Sequence, residues 1–129
     1  MEIHFEKTDK SCIALLTSDA ITITDTESAL DLLASCGYNG ASGVVISEHN
    51  LSPNFFDLKT GMAGEILQKF STYNMRLAIV GNFSKYRSKS LSDFIFESNK
   101  IGHIIFTDSI NAAKKILTNN DKPSRQHSI

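Results

Sequence analysis

The chain has 129 residues, of which 41% are hydrophobic, and its 14 acidic and 13 basic residues leave a net charge of −1. A chain of this length buries enough apolar surface for one core without disulfides or metals. The near-neutral charge provides no overall field to hold nucleic acid or an anionic membrane surface. The N-terminus lacks a basic-then-apolar signal, and no apolar run approaches the ~20 residues of a membrane span. We therefore expect one cytoplasmic domain over residues 1–118 that binds neither nucleic acid nor membrane, and a polar tail at 119–129.

The first third of the chain predicts a hairpin followed by a helix. Residues 2–6 alternate polar and apolar side chains, as an edge strand does, and residues 11–17 form an apolar run typical of a strand covered on both faces. The short link between the two favours antiparallel pairing. Thr24 and Glu27 have capping-box spacing, so a helix is expected to begin there, and Gly37 is expected to end it.

The remainder alternates strands with helices. Three further strands are predicted at short apolar runs, residues 43–47, 77–81 and 103–107. Helices are predicted at about 61–73, after a cap at Ser90, and after a cap at Asp108. Strands joined by single helices need crossover connections. The order ββαβαβαβα thus predicts an α/β domain with a mixed, mostly parallel five-stranded sheet and helices mainly on one face.

The segment before the second helix carries the first set of candidate functional residues. Asp57 is followed by the Lys59-Thr60-Gly61 turn, which places the Thr60 hydroxyl at the positive end of a helix dipole, where an anion or an acidic partner group is favoured. An ordinary capping role for Thr60 explains the same residue type. Gly61 and Gly64 have G-x-x-G spacing, which allows either a phosphate to approach the backbone or the helix to pack closely on the sheet.

A second set of candidates lies in the loop that follows the fourth strand. Ser84, Lys85 and Arg87 precede Lys89, and the three cations surround Tyr86. Open α/β sheets bind ligands at the carboxyl ends of their strands, so this loop is a candidate anion-binding element. A solvated loop that leads into the next helix is the simpler interpretation.

The sequence assembles no catalytic set and predicts neither a metal nor a cofactor. Cys12 lies among apolar residues with no histidine nearby in the sequence. The four histidines are scattered without the spacing of a metal site, at His4, His49, His103 and His127. No pair of nucleophile and base is recognisable from spacing alone.

Two resemblances rest on these motifs. The runs FFDLKTGMAGEILQKF and LAIVGNFSKYRSKSLSDFIFESNK resemble a bacterial family of small single-domain proteins classed only as a domain of unknown function, over about Ile3 to Leu117. That resemblance implies no activity. The middle of the chain also resembles the sulfate-transporter and anti-sigma-factor-antagonist domain, STAS, which has a hairpin start and the same order of helices and strands.

The STAS resemblance is carried by a signature similar to F-x-D-S-S-G-L at the start of the second helix. The matching residues here are Phe56, Asp57, Thr60, Gly61 and Met62, and the following strand, of the form L-x-L-V-G, is matched by Leu77, Ile79, Val80 and Gly81. Leu58 and Lys59 stand where the signature has one serine. In the STAS family the hydroxyl residue before the glycine is phosphorylated under kinase control, which the resemblance implies for Thr60.

We therefore expect a STAS-like regulatory protein-interaction domain of the bacterial cytoplasm that is switched at Thr60. Its expected partner is an unidentified protein, a kinase or another regulator, and a homodimer through the edge strand at residues 2–6 is a further expectation. The alternative is a small anion- or nucleotide-binding module that uses the Thr60 helix N-terminus and the Lys85–Arg87 loop.

Overall fold

The computed structural model describes residues 2–118, in which one mixed sheet lies between helices on both of its faces. The five strands are β1 Glu2–Lys7, β2 Cys12–Thr17, β3 Gly43–Ser47, β4 Arg76–Val80 and β5 Ile104–Thr107. The four α-helices of residues 2–118 are α1 Thr26–Tyr38, α2 Met62–Thr72, α3 Lys89–Ile101 and α4 Ile110–Thr118. The tail predicted at 119–129 lies outside the described residues.

The strands lie in the sheet in the same order as in the chain. β1 is antiparallel to β2, and the other neighbouring strands are parallel. Because parallel crossovers are right-handed and each one advances in the same direction, α1, α2 and α3 must lie on the same face. The predicted α/β fold, with a mixed, mostly parallel sheet and helices mainly on one face, is confirmed.

The two faces of the sheet bury two separate apolar clusters. The larger cluster joins α1, α2 and α3 to the strands, with Ile66 and Phe70 of α2 fully buried against residues such as Leu77. The smaller cluster packs Ala113 and Leu117 of α4 onto the opposite face. This double burial explains why β2 to β5 are almost continuously apolar.

Helix α4 covers only part of the sheet face on which it packs. It begins with Ile110 near the carboxyl ends of the strands and runs back toward their amino ends, where Leu117 Cδ1 lies 3.1 Å from the position of a Cβ on Gly43. Nine residues at ~1.5 Å each form a helix of only about 14 Å. The side of the sheet toward β1, including His4 and Leu15, is left beside an open cavity.

Several predicted helix ends are wrong by one to three residues. The α1 cap is Asp25, whose carboxylate accepts the Ser28 N–H at 2.8 Å, rather than Thr24 with Glu27. The helix also passes Gly37 and ends at Tyr38, since the left-handed residue is Gly40, with φ of 92°.

The later helices show similar shifts. Ser88, not Ser90, caps α3 by accepting the Leu91 N–H at 3.2 Å, and Gly102 ends that helix as predicted. Near the start of α4, the hydroxyl of Ser109, not Asp108, accepts the Ala112 N–H at 3.1 Å. Within the described residues, every helix falls short of the length and apolar character needed to cross a bilayer.

Candidate functional site

The carboxyl ends of β2, β3 and β4 lie side by side, and the segments that follow them form the candidate site. This edge is where open α/β sheets bind ligands. At its centre, Ser47 ends β3 and Glu48–Asn50 form one turn of 3₁₀ helix. We call residues 47–50 the β3 turn.

Asn50 anchors the β3 turn to the loop between β2 and α1. Its side chain is buried, and its amide nitrogen donates to the carbonyl oxygens of Ser18 and Ala20 at 3.0 and 2.9 Å. Its amide oxygen accepts the Ser47 N–H at 3.0 Å. A buried amide is tolerated only when its donors and acceptor are satisfied, as they are here, so Asn50 fixes the two loops against each other.

His49 joins the same loop to the Ser47 hydroxyl. Its Nε2 lies 2.9 Å from the Ser18 carbonyl oxygen, and its Nδ1 lies 2.7 Å from Ser47 Oγ. A carbonyl oxygen only accepts, so Nε2 must carry the proton. In the neutral ring Nδ1 is then an acceptor, and the Ser47 hydroxyl donates to it.

Glu48 points the other way, toward the loop after β4. Its carboxylate accepts the Asn82 N–H at 2.9 Å and the Tyr86 hydroxyl at 3.1 Å, and it pairs with Lys85 Nζ at 3.0 Å. Burial opposes ionisation of this carboxyl, but these hydrogen bonds and the charge of Lys85 outweigh it and hold the pKa of Glu48 below its ordinary value. A Cβ on Gly81 would lie 2.6 Å from Glu48 Oε1, so glycine at the end of β4 makes room for this carboxylate.

The basic loop is therefore partly neutralised. Lys85, predicted as an anion ligand, shares its charge with Glu48 and also lies 5.5 Å from the centre of the Tyr86 ring. Ser84 is engaged with Asn82, whose Oδ1 accepts both its N–H and its hydroxyl. Arg87 is exposed. The anion-binding role of Ser84, Lys85 and Arg87 stays a prediction, with one of its cations already paired.

Thr60 is exposed and lies at the end of a 3₁₀ turn, Leu58–Thr60, rather than at the cap of α2. The cap position belongs to Gly61, whose φ of 79° is left-handed. The Thr60 hydroxyl donates to the carbonyl oxygens of Asn54 and Asp57, at 2.8 and 2.9 Å, and accepts the Met62 N–H at 3.2 Å. The predicted capping role is thus displaced by one residue, and the hydroxyl instead closes residues 54–62 into a compact segment.

The other candidates in this segment have separate positions. The Asp57 carboxylate accepts the Lys59 N–H at 3.2 Å and caps the 3₁₀ turn, while Lys59 is exposed. Gly64 is also exposed, and a Cβ built there meets nothing within 4 Å. Close packing of α2 on the sheet therefore does not explain Gly64.

The two predicted sets of residues are connected by aromatic side chains. Phe56, just before Asp57, stacks on Tyr86 with ring centres 4.9 Å apart and also contacts Phe83 at 6.2 Å. Stacked pairs of this kind contribute about 1 kcal/mol beyond their buried area. The structure thus places the Thr60 segment and the Lys85 loop at the same edge of the sheet, with Phe56 between them.

Two cavities flank the β3 turn, and both are lined by Ser47 and His49. The cavity on the α4 side has a volume of about 520 Å³. The cavity on the other side, about 380 Å³, is bordered by Glu48, Phe56 and Tyr86.

The residues of the β3 turn were missed by the sequence interpretation. Their partners outside the turn are 30 to 38 positions away, so no local spacing indicates those contacts. The available signal was a polar stretch, Ser47 to Asn50, immediately after the central apolar strand. Within residues 2–118, no group of three or more His, Cys, Asp or Glu side chains is placed to hold a metal ion.

These features define a small α/β protein with one mixed sheet and a polar site at the carboxyl ends of its central strands. The chain belongs to the family described as a domain of unknown function, DUF4180, which matches residues 8–117. No curated protein and no solved structure matches the chain significantly.

Proposed function

We propose that the chain is a STAS-like regulatory protein-interaction domain of the bacterial cytoplasm, controlled by phosphorylation of Thr60. One observation carries the proposal: Thr60 is exposed, and its hydroxyl shares its one proton between two backbone carbonyls, Asn54 O at 2.8 Å and Asp57 O at 2.9 Å. In this proposal a kinase reaches the exposed residue, and the proton that it replaces is one of the contacts that hold the loop.

Phosphorylation would change this segment in two ways. Forming the phosphate ester removes the hydroxyl proton, so each carbonyl loses its side-chain donor and keeps only a backbone N–H, that of Asp57 on Asn54 O and that of Thr60 on Asp57 O. The ester also carries about 1.5 to 2 negative charges at pH 7, which would lie beside two carbonyl oxygens and repel them. Residues 54–60 would then leave their compact conformation, while the start of α2 and Lys59 attract the phosphate from outside the turn.

The partner surface in this proposal is the segment from Ser52 to Gly64. It has many exposed residues, and its four buried residues, Phe55, Phe56, Met62 and Ala63, hold it on the core. A rearrangement at Thr60 therefore alters the shape of this surface without unfolding the domain. A homodimer through the outer edge of β1 remains a further part of the proposal, since β1 is a terminal strand of the sheet.

The test is affinity capture from a bacterial lysate with four forms of the full chain: wild type, Thr60→Ser, Thr60→Val and Thr60→Glu. Thr60→Ser keeps the donor, so it should capture the same protein as the wild type. Thr60→Val removes the donor without charge and should weaken capture, and Thr60→Glu should abolish it. Mass spectrometry of the native protein should find phosphate on Thr60. Equal capture by all four forms, together with Thr60 never phosphorylated, would refute the proposal.

The alternative function, a small anion- or nucleotide-binding module, has weaker support because Lys85 is paired with Glu48. A ligand in excess of its dissociation constant must raise thermal stability. A rise in melting temperature with millimolar nucleotide, lost in Arg87→Gln but kept in Thr60→Val, would favour a phosphate site in the loop over the regulatory switch.

A further inference from the structure

Ser47 and His49 have the arrangement of an activated hydroxyl nucleophile. The 2.7 Å separation of Ser47 Oγ from His49 Nδ1 is a short hydrogen bond. The Ser18 carbonyl, 2.9 Å from Nε2, holds the other ring nitrogen protonated, so the lone pair on Nδ1 faces the serine. Nucleophile, base and orienting group are thus within hydrogen-bond reach in series, which is the pattern of nucleophilic catalysis.

The orienting group is itself held in place. The Ser18 carbonyl also accepts from the buried side chain of Asn50, at 3.0 Å, and Asn50 binds the Ser47 N–H. The ring of His49 therefore has a fixed acceptor on one side and the serine on the other. Rigid positioning of this kind is what a reacting pair requires.

The pair opens into a cavity of suitable size and lining. Its volume, about 520 Å³, lies within the usual range for small-molecule sites. Four of its lining residues, Leu15, Val45, Val80 and Ile110, form an aliphatic wall, in which Val80 lies directly beside Ser47 on the neighbouring strand. The rest of the lining is largely polar and includes Thr17, Asp19 and Lys114, of which Lys114 pairs with Glu6 at 2.9 Å. An apolar chain fits along the aliphatic wall with a polar group at Ser47.

We propose that Ser47 and His49 form a site that hydrolyses carboxylic esters with a short aliphatic acyl chain. Ser47 Oγ bonds to the acyl carbon as its proton passes to His49 Nδ1, and the ester C–O bond breaks. The departing alcohol oxygen takes that proton. Water then attacks the acyl-serine, giving its proton to Nδ1, and the proton returns to Ser47 Oγ as the carboxylic acid leaves. This activity is distinct from the proposed regulatory role of Thr60 and does not depend on it.

The first test is covalent labelling of the full chain with an alkyl fluorophosphonate, which reacts with activated serines. Ser47 should carry the adduct. His49→Gln keeps an N–H donor but lacks the basic nitrogen, so labelling should fall by ~100-fold or more, in line with the contribution of a general base. Ser42→Ala removes an exposed serine just before the same strand and is the matched control, with labelling unchanged.

The second test measures hydrolysis of p-nitrophenyl acetate and p-nitrophenyl hexanoate. Ser47→Ala should abolish turnover of both. Ile110→Trp replaces a residue that is 53% exposed, so the fold tolerates it, and it should slow the hexanoate at least tenfold while sparing the acetate. Equal slowing of both esters would overturn the assignment of the cavity as the acyl site.

A third test compares two cysteine variants and does not depend on His49→Gln, which could disturb the loop. Ser47→Cys places a thiol beside His49, and Ser42→Cys places one outside the cavity. Alkylation by iodoacetamide at pH 7 should be at least tenfold faster in Ser47→Cys than in Ser42→Cys. Absence of an adduct on Ser47 in folded protein, or equal alkylation of the two cysteine variants, would overturn the proposal.

Discussion

Replacing Asn50 with alanine removes a buried amide that makes three hydrogen bonds, one within the β3 turn and two to a loop about 30 residues away. At a net value of ~1 kcal/mol for each bond, the loss amounts to about 3 kcal/mol of unfolding free energy. For a domain of this size, ~4 °C per kcal/mol converts that loss into a fall in melting temperature of roughly 12 °C. Urea denaturation followed by circular dichroism measures the free energy directly.

Asn50→Asp tests the directions of the same bonds. The aspartate still accepts the Ser47 N–H, but an oxygen now faces the carbonyls of Ser18 and Ala20, where the amide nitrogen donated. Burial and these two carbonyls raise the pKa of the new carboxyl in the folded state. The folded protein then binds the proton more tightly than the unfolded chain. The loss of unfolding free energy caused by Asn50→Asp is therefore smallest below about pH 4 and grows as the pH rises above it.

The comparison variant for Asn50 is Asn39→Ala. Asn39 is exposed and its amide donates one local bond, to Ser35 O at 2.8 Å. Its loss should cost well under 1 kcal/mol at any pH. A cost for Asn50→Ala no greater than that for Asn39→Ala, or a penalty for Asn50→Asp that is the same at pH 4 and pH 7, would refute the inferred bonding of Asn50.

Two further predictions concern titratable groups. Burial, followed by the charge and hydrogen bond of Glu48, raises the pKa of Tyr86 from 10.0 to about 12, so ultraviolet difference titration of the wild type against Tyr86→Phe should place its ionisation well above pH 10. The stability due to neutral Tyr86 is complete below pH 10 and is lost as the pH rises through about 12. Glu48→Gln should lower the pKa of Tyr86. An unchanged pKa in that variant would contradict the contact between the two side chains. Burial and the nearby Cys12 raise the pKa of Cys36 to about 11, so Cys36 of the folded protein should resist a thiol reagent at pH 8. In urea-unfolded chains both cysteines should react. Rapid reaction of Cys36 without unfolding would be inconsistent with its burial.

The strands and the sheet were predictable because buried strands are visible in the sequence as short apolar runs. Runs such as 43–47 and 77–81 are apolar at successive positions, which occurs when both faces are covered, and single helices between such runs leave little choice but a parallel sheet. The helix ends were less predictable. Thr24 and Asp25 are both good caps, and each has a local partner three residues on, so the sequence alone does not decide between Thr24 with Glu27 and the observed Asp25 with Ser28.

The site was only half predictable, because sequence spacing reports contacts within one turn. Thr60 and its neighbours were candidates from the sequence because Asp57, Thr60 and Gly61 are close together in the chain, and their functional role stays a prediction. The β3 turn was not found, since Glu48 acts on Tyr86 and His49 acts on Ser18, both more than 30 positions away. His49 looked like an isolated histidine in the sequence for that reason.

The geometry of the β3 turn explains how one short segment serves three neighbours. A 3₁₀ helix has three residues per turn, so successive side chains point about 120° apart. Glu48 reaches the loop after β4, His49 reaches Ser47 at the cavity, and Asn50 enters the core. A longer helix would return its side chains to the same faces, whereas this single turn sends each residue in its own direction.

This arrangement also bears on whether the two proposed functions are independent. Phe56 stacks on Tyr86, and Tyr86 donates to Glu48, which is next to Ser47 in the chain. A partner that displaces Phe56 exposes Tyr86 and weakens its hold on Glu48, but it leaves the Asn50 and His49 contacts to Ser18 in place. Because those contacts and the hydrogen bond to Ser47 orient His49, Thr60→Glu should leave the labelling of Ser47 unchanged even where it abolishes partner binding.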